Sequence, residues 1–151
     1  MSFILEDAAR AMLFTIRDKC QEVFTILQRG YPESVYQRAL GIELQKHGMH
    51  HDMEVTMGIP YKEHAVGQVR ADIIIRGDIP VVIETKATAA AIKPEERWQL
   101  SRYLKIQDII LGVLVNFPQT AGKMILQIEF LIKNDDTIYI YDLDANTARE
   151  L

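Results

Sequence analysis

Between Ile4 and Leu27, apolar residues recur at Leu5, Ala8, Ala9, Met12, Ile16, Val23 and Ile26, with charged residues between them. That three-to-four spacing predicts a long amphipathic helix over about 4–28, ended by Gly30. Pro32 then fits the first turn of a second helix, Glu33 to about His47, closed by Gly48. The period changes to two at Met53, Val55, Met57 and Ile59, which predicts a half-wet strand. Pro60 to Gly67 reads as a polar turn region. A second strand is expected over Val69–Arg76, with Ala71, Ile73 and Ile75 on one face and Arg70, Asp72, Ile74 and Arg76 on the other. Val81–Lys86 is the third strand. Pro94 opens a helix to about Ile106, with Glu95 and Glu96 at its positive end and Lys105 near its negative one. Ile109–Val115 is a solid apolar run suited to a buried strand, and Met124–Ile132 and Thr137–Tyr141 predict two more. The order ααβββαβββ predicts an α/β fold with a mixed central sheet flanked by helices, and nothing in it marks a boundary: residues 1–151 read as a single domain.

The composition changes this picture little. Of 151 residues, 48% are hydrophobic and 25% charged, ordinary values for a folded domain, and the net charge of −4 excludes a polycation that binds nucleic acid through its bulk field. Any contact with a polyanion has to come from a local patch. The first residues lack the pattern of a signal peptide and no stretch approaches the ~18 apolar residues of a membrane span, so the expectation is a cytoplasmic or nuclear protein with no membrane partner. A single cysteine, Cys20, has no disulfide or CxxC partner and reads as a buried bystander. His47, His50, His51 and His64 lack the ordered spacing of a zinc site and read as solvated. Phosphate-loop, dinucleotide and serine-hydrolase motifs are all missing.

The chemistry concentrates at Pro80-Val81-Val82-Ile83-Glu84-Thr85-Lys86, an apolar strand that ends by presenting a carboxylate and an ammonium on the same face. Twelve residues earlier stands Asp72, in a second apolar run. Carboxylates there are costly unless paired, hydrogen-bonded or bound to a metal. If the two strands are neighbours, Asp72 and Glu84 can converge on one hard cation such as Mg2+ (or Mn2+), with the Thr85 backbone carbonyl as a further oxygen ligand. Lys86 would then orient an attacking water or balance charge in the transition state. The competing reading is a set of strand-end ion pairs with Arg70, Arg76 or Lys86.

A distant Asp followed by Glu-x-Lys resembles the PD-(D/E)XK nuclease superfamily, in which Asp and Glu bind the metal and Lys assists catalysis. Gln99 and Tyr103, four residues apart on one face of the following helix, resemble the Gln-x-x-x-Tyr motif of its RecB-like branch. Gly30-Tyr31-Pro32-Glu33-Ser34-Val35-Tyr36 matches the signature of the GxxExxY family in that superfamily, and Gly67, Arg70-Ala71-Asp72 and Leu114-Val115-Asn116-Phe117 follow its pattern. The resemblance covers roughly residues 27 to 120; the helix 4–28 and the strands 124–141 stand as extensions. It implies a restriction-endonuclease-like core and a Mg2+-dependent deoxyribonuclease, acting on DNA rather than RNA, with a place in repair or recombination. It also implies a role for Glu33 in the outer metal shell, and for Gln99 and Tyr103 in positioning the substrate or the lysine. Arg70, Lys93, Arg97 and Arg102, with Lys105, are candidates for a phosphate-contacting rim. Two other classes stay open: an inactive nucleic-acid-binding or assembly module that keeps the fold, and a homo-oligomer built through an exposed sheet edge.

Overall fold

The computed structural model describes residues 5–122 and 125–151. Two helices come first, α1 (Asp7–Leu27) and α2 (Glu33–Lys46), then strands β1 (His51–Tyr61), β2 (His64–Ile75) and β3 (Val81–Lys86). Helix α3 (Pro94–Gln107) leads into β4 (Leu111–Asn116), β5 (Gln127–Asn134), β6 (Thr137–Asp142) and β7 (Thr147–Glu150). All seven strands form one sheet in sequence order, antiparallel except for β3 beside β4, which α3 connects. A parallel pair needs such a crossover. The α/β class with a mixed sheet between helices, expected from the sequence, is the observed one.

The sheet has a core on each face. On one side Leu13, Ile16, Phe24, Tyr36, Leu40 and Leu44 of α1 and α2 pack on Ile73, Ile83, Val113 and Phe117. On the other, Leu100, Tyr103 and Leu104 of α3 pack on Ile74, Val82, Leu114 and Leu131. Helix α3 lies close because β4 has glycine beneath it: a Cβ on Gly112 would stand 3.1 Å from Leu100. Both central strands are buried on two sides, which is why they read as unbroken apolar runs rather than alternating ones. No described helix is long and apolar enough to cross a membrane.

Two expectations are corrected and one is extended. The region Pro60–Gly67 is not a loop: β1 and β2 run through it as a long hairpin, turning only at Lys62 and Glu63, both at positive φ (45° and 71°). Such two-residue turns normally carry Asn or Gly, so their usual signal was missing. Pro60 is accommodated because β1 is an edge strand and the register shifts beside it. Second, the strands read as extensions after Phe117 continue the same sheet: β5 pairs with every residue of β4, and Arg17 of α1 forms an ion pair with Asp144 at 2.9 Å. Met124, the expected start of β5, lies outside the described residues, and β7, a short polar strand, had no apolar pattern to announce it. Third, the facing of β2 breaks at Asp72. Ile73 and Ile75 join the α1–α2 core, whereas Ala71 lies in the α3 core with Ile74.

Candidate active site

The break at Asp72 builds the site. In the β1–β2 ladder, Met53 pairs with Ile73 and Val55 with Ala71, but Glu54 and Asp72 between them do not pair. Since Arg76 donates its N–H to His50 in the same register (2.8 Å), the position opposite Glu54 should exchange both backbone bonds. Glu54 instead adopts φ 52°, and Asp72 leaves the ladder. On its other side the β2–β3 ladder ends at Ile73 and Ile83, so the strands fork there.

Side chains close the fork reciprocally. Asp72 donates its N–H to Glu84 Oε1 at 2.8 Å, and Thr85 donates its N–H to Asp72 Oδ2 at 2.8 Å. The Thr85 hydroxyl lies 3.1 Å from the same Asp72 oxygen and 3.4 Å from Glu33 Oε1. Glu33 comes from the first turn of α2, where the helix dipole favours an acid. Carboxylates from α2 and β2 therefore meet at the Thr85 hydroxyl, and Glu84 of β3 is tied to the Asp72 backbone beside them. Because the N–H and C=O of a strand residue point to the same side, the Thr85 carbonyl also faces the fork.

Their titration reflects the crowding. Burial, then the charge of Asp72, pushes the Glu84 carboxyl up to about 8. Glu33 is raised for the same two reasons in the same order, and Lys86 opposes both shifts. Tyr103 is held in its protonated form by burial and then by the Glu84 charge. Gln99 donates from Nε2 to the Tyr103 hydroxyl at 2.8 Å, so the pair stands on the site side of α3. The ion pairs of the competing reading are absent: among the described residues, Asp72, Glu84 and Lys86 form none, and Arg76 is engaged with Asp52 at 2.9 Å.

These residues fit a hard cation. Carboxylates of like charge brought together around a buried one, Glu84, need a proton or a counter-ion, and each of Asp72 and Glu84 accepts a backbone N–H through one oxygen. No three described His, Cys, Asp or Glu side chains form a complete ligand cluster. Two carboxylates, a carbonyl and water match the way Mg2+ is held, with waters retained.

The basic rim divides. Arg70, Lys93 and Arg102 are exposed. Arg97 instead grips Glu129 of β5 with two bonds, 2.6 and 2.8 Å, both side chains about one-quarter exposed. Arg97→Ala should therefore lower the melting temperature by a few degrees and leave nucleic-acid affinity unchanged. Arg102→Ala should do the reverse, reducing the slope of log K against log salt by about one. Fluorescence anisotropy over a salt series separates the two. The histidines form no metal cluster, and His51 is tied to the Met49 carbonyl. Cys20 is fully buried, its thiol pushed up to about 12.

Sequence reasoning missed three amides. Gln37 donates to the Asp72 carbonyl at 3.2 Å; it stands four residues after Glu33, and that shared helix face was a usable signal. Asn116, beside Lys86 in register, holds the segment after β3 through Thr88 and Ala90. Gln119 takes the Gly30 N–H at 2.8 Å and donates to the Tyr36 hydroxyl at 3.2 Å, and no pattern announces it.

A family model, described as the PD-(D/E)XK nuclease superfamily, matches residues 10–128. Among solved structures, "Crystal structure of SSO0001" aligns with a TM-score of 0.50 at 16% identity, over 90% of this chain and 81% of that one, a likeness of fold. No curated protein matches the sequence significantly.

Proposed function

Because the chain belongs to the PD-(D/E)XK nuclease superfamily, we propose that it hydrolyses phosphodiester bonds in DNA with Mg2+ or Mn2+ held at the β2–β3 fork. Within the superfamily we place it in the GxxExxY family of the RecB-like branch, on the Gly30–Tyr36 and Gln99–Tyr103 motifs. The observation that carries the reading is the reciprocal bonding of Asp72 and Glu84: each carboxylate is fixed through one oxygen by a backbone N–H, beside a lysine that forms no ion pair among the described residues. Asp72, Glu84 and the Thr85 carbonyl would hold the ion, with Glu33 reaching it through water. A cation there lowers the pKa of a bound water and stabilises charge on a phosphoryl oxygen. Lys86 offers its ammonium to the transition-state charge. Glu33, raised by burial, accepts a hydrogen bond from the attacking water and fixes its direction. Tyr103 accepts from Gln99 and keeps its own O–H to donate to a phosphate oxygen. Arg70, Lys93 and Arg102 contribute to the electrostatic attraction of the backbone.

The test is cleavage of single-stranded, nicked and duplex DNA, and of RNA, with Mg2+ or Mn2+. Cutting is expected, with EDTA stopping it and Asp72→Ala and Lys86→Ala each reducing it to background. Salt-sensitive, metal-independent binding without cutting under any metal would replace this reading with that of an inactive nucleic-acid-binding module.

A further inference from the structure

Gln37 is buried on α2, and its side chain addresses backbone rather than another side chain. Asp72 would in a regular ladder give its N–H and C=O to Glu54; here the N–H goes to Glu84 and the C=O receives Gln37 Nε2. The two partners, one acceptor and one donor, come from opposite layers, since Gln37 belongs to the helix covering one face and Glu84, two residues after Val82, shares the other face with it. The backbone of one residue is thus bracketed from both sides of the sheet. Its displacement is what brings Asp72 Oδ2 under the N–H and hydroxyl of Thr85. Removing the Gln37 donor strands a carbonyl whose partner in an unbroken ladder would be Glu54 of β1, and returning there would swing the Asp72 side chain out of the fork.

We propose that Gln37 is a positioning residue: it holds the Asp72 peptide out of the β1 ladder and thereby fixes the Asp72 carboxylate for cation binding. The second clause rests on the nuclease reading; the first does not. The variant is Gln37→Met, close in volume and without a donor. Removal of an outer support of this kind weakens metal affinity or activity by about 10–100-fold, so Mn2+ affinity by titration and kcat should both fall in that range with KM little changed. The second readout is amide hydrogen exchange in metal-free protein, where the Thr85 and Asp72 N–H groups should exchange about tenfold faster than in wild type. Ile16→Val, in the same core, is the control for stability: it should lower the melting temperature and leave the Asp72 and Thr85 amides and Mn2+ affinity unmoved. Exchange at both amides within twofold of wild type in Gln37→Met would overturn the positioning role. Faster exchange with unchanged Mn2+ affinity would overturn its link to the cation. If wild-type protein binds no Mn2+ and cuts nothing, the nuclease reading fails and the link with it, while the exchange rates still decide the positioning role.

Discussion

Glu84→Gln is expected to abolish cleavage and, in metal-free protein at pH 8, to raise the melting temperature by roughly 5–15 °C. The activity is lost because the amide carries no charge to hold a cation. The stability gain follows from the sign of the titration. An unfolded glutamate titrates near 4.5, whereas the folded one is pushed up to about 8 by burial and by Asp72. Between those values the folded chain binds more protons, so stability falls as pH rises from 4.5 towards 8. A tenfold change in proton affinity is worth about 1.36 kcal/mol, so the wild type gives up on the order of 4 kcal/mol across that window. Glutamine still accepts the Asp72 N–H through its carbonyl oxygen and has nothing to ionise. Calorimetry in EDTA at pH 5 and pH 8 should therefore show a larger drop for the wild type than for the variant, which keeps only the part due to the raised Glu33 carboxyl. Mg2+ should restore the wild type at pH 8 by binding the folded state, and leave the variant unchanged. Equal pH dependence in the two proteins, or cleavage by Glu84→Gln, would refute this account of the site.

That effect originates in a local rule the sequence breaks openly: a carboxylate at the end of an apolar strand. Asp72, Glu84 and Lys86 were legible for this reason, since in a sheet buried on both faces any ionisable residue is an exception that needs a partner. The two helices before the sheet were equally legible, the first because its apolar stripe is long and regular and the second because Pro32 and Gly48 mark its ends. Less visible were features that depend on a polar group meeting backbone. Gln37, Asn116 and Gln119 satisfy carbonyls and N–H groups that secondary structure leaves over, and which groups are left over is known only once the strands fork. The alternation over Arg70–Arg76 was misread for the same reason: a period of two presumes an unbroken ladder, and this one breaks at Asp72.

The fork also explains why one stretch serves as both core and site. Ile73 and Ile83, the last paired residues, are fully buried, so the strands are clamped immediately before they part. Asp72 and Thr85 then sit one and two residues beyond the clamp, with little freedom to wander. Rigidity comes from the apolar half of each strand and chemistry from its end. Glu33 reaches the same point by a different route, from the start of α2, and its support lies at the turn before that helix.

That support is Tyr36, and its replacement carries the second large effect: Tyr36→Leu should cost about 3–5 kcal/mol, and Tyr36→Phe about 1–3 kcal/mol. The ring is fully buried and stacks on Phe117 at 4.8 Å and 13°. Its hydroxyl donates to the Gln28 carbonyl and receives the Tyr31 N–H (3.4 Å) and Gln119 Nε2 (3.2 Å). These bonds hold a turn in which Gln28 and Gly30 both have positive φ, 60° and 116°, and which ends where Glu33 begins α2. Leucine loses the stack and the hydroxyl; phenylalanine keeps the stack but leaves the Gln28 carbonyl without its partner and Gln119 Nε2 with the Phe117 carbonyl alone. Urea unfolding at 25 °C should rank the proteins wild type, Phe, Leu. Single-turnover cleavage at a temperature where Tyr36→Phe is fully folded should still fall about tenfold, because the loosened turn no longer fixes Glu33 beside Thr85. A Tyr36→Phe protein as stable as wild type would show that the hydroxyl network contributes nothing. One that is destabilised yet cuts at the wild-type rate would separate the turn from the site and leave α2 itself, through Gln37, as the support that matters.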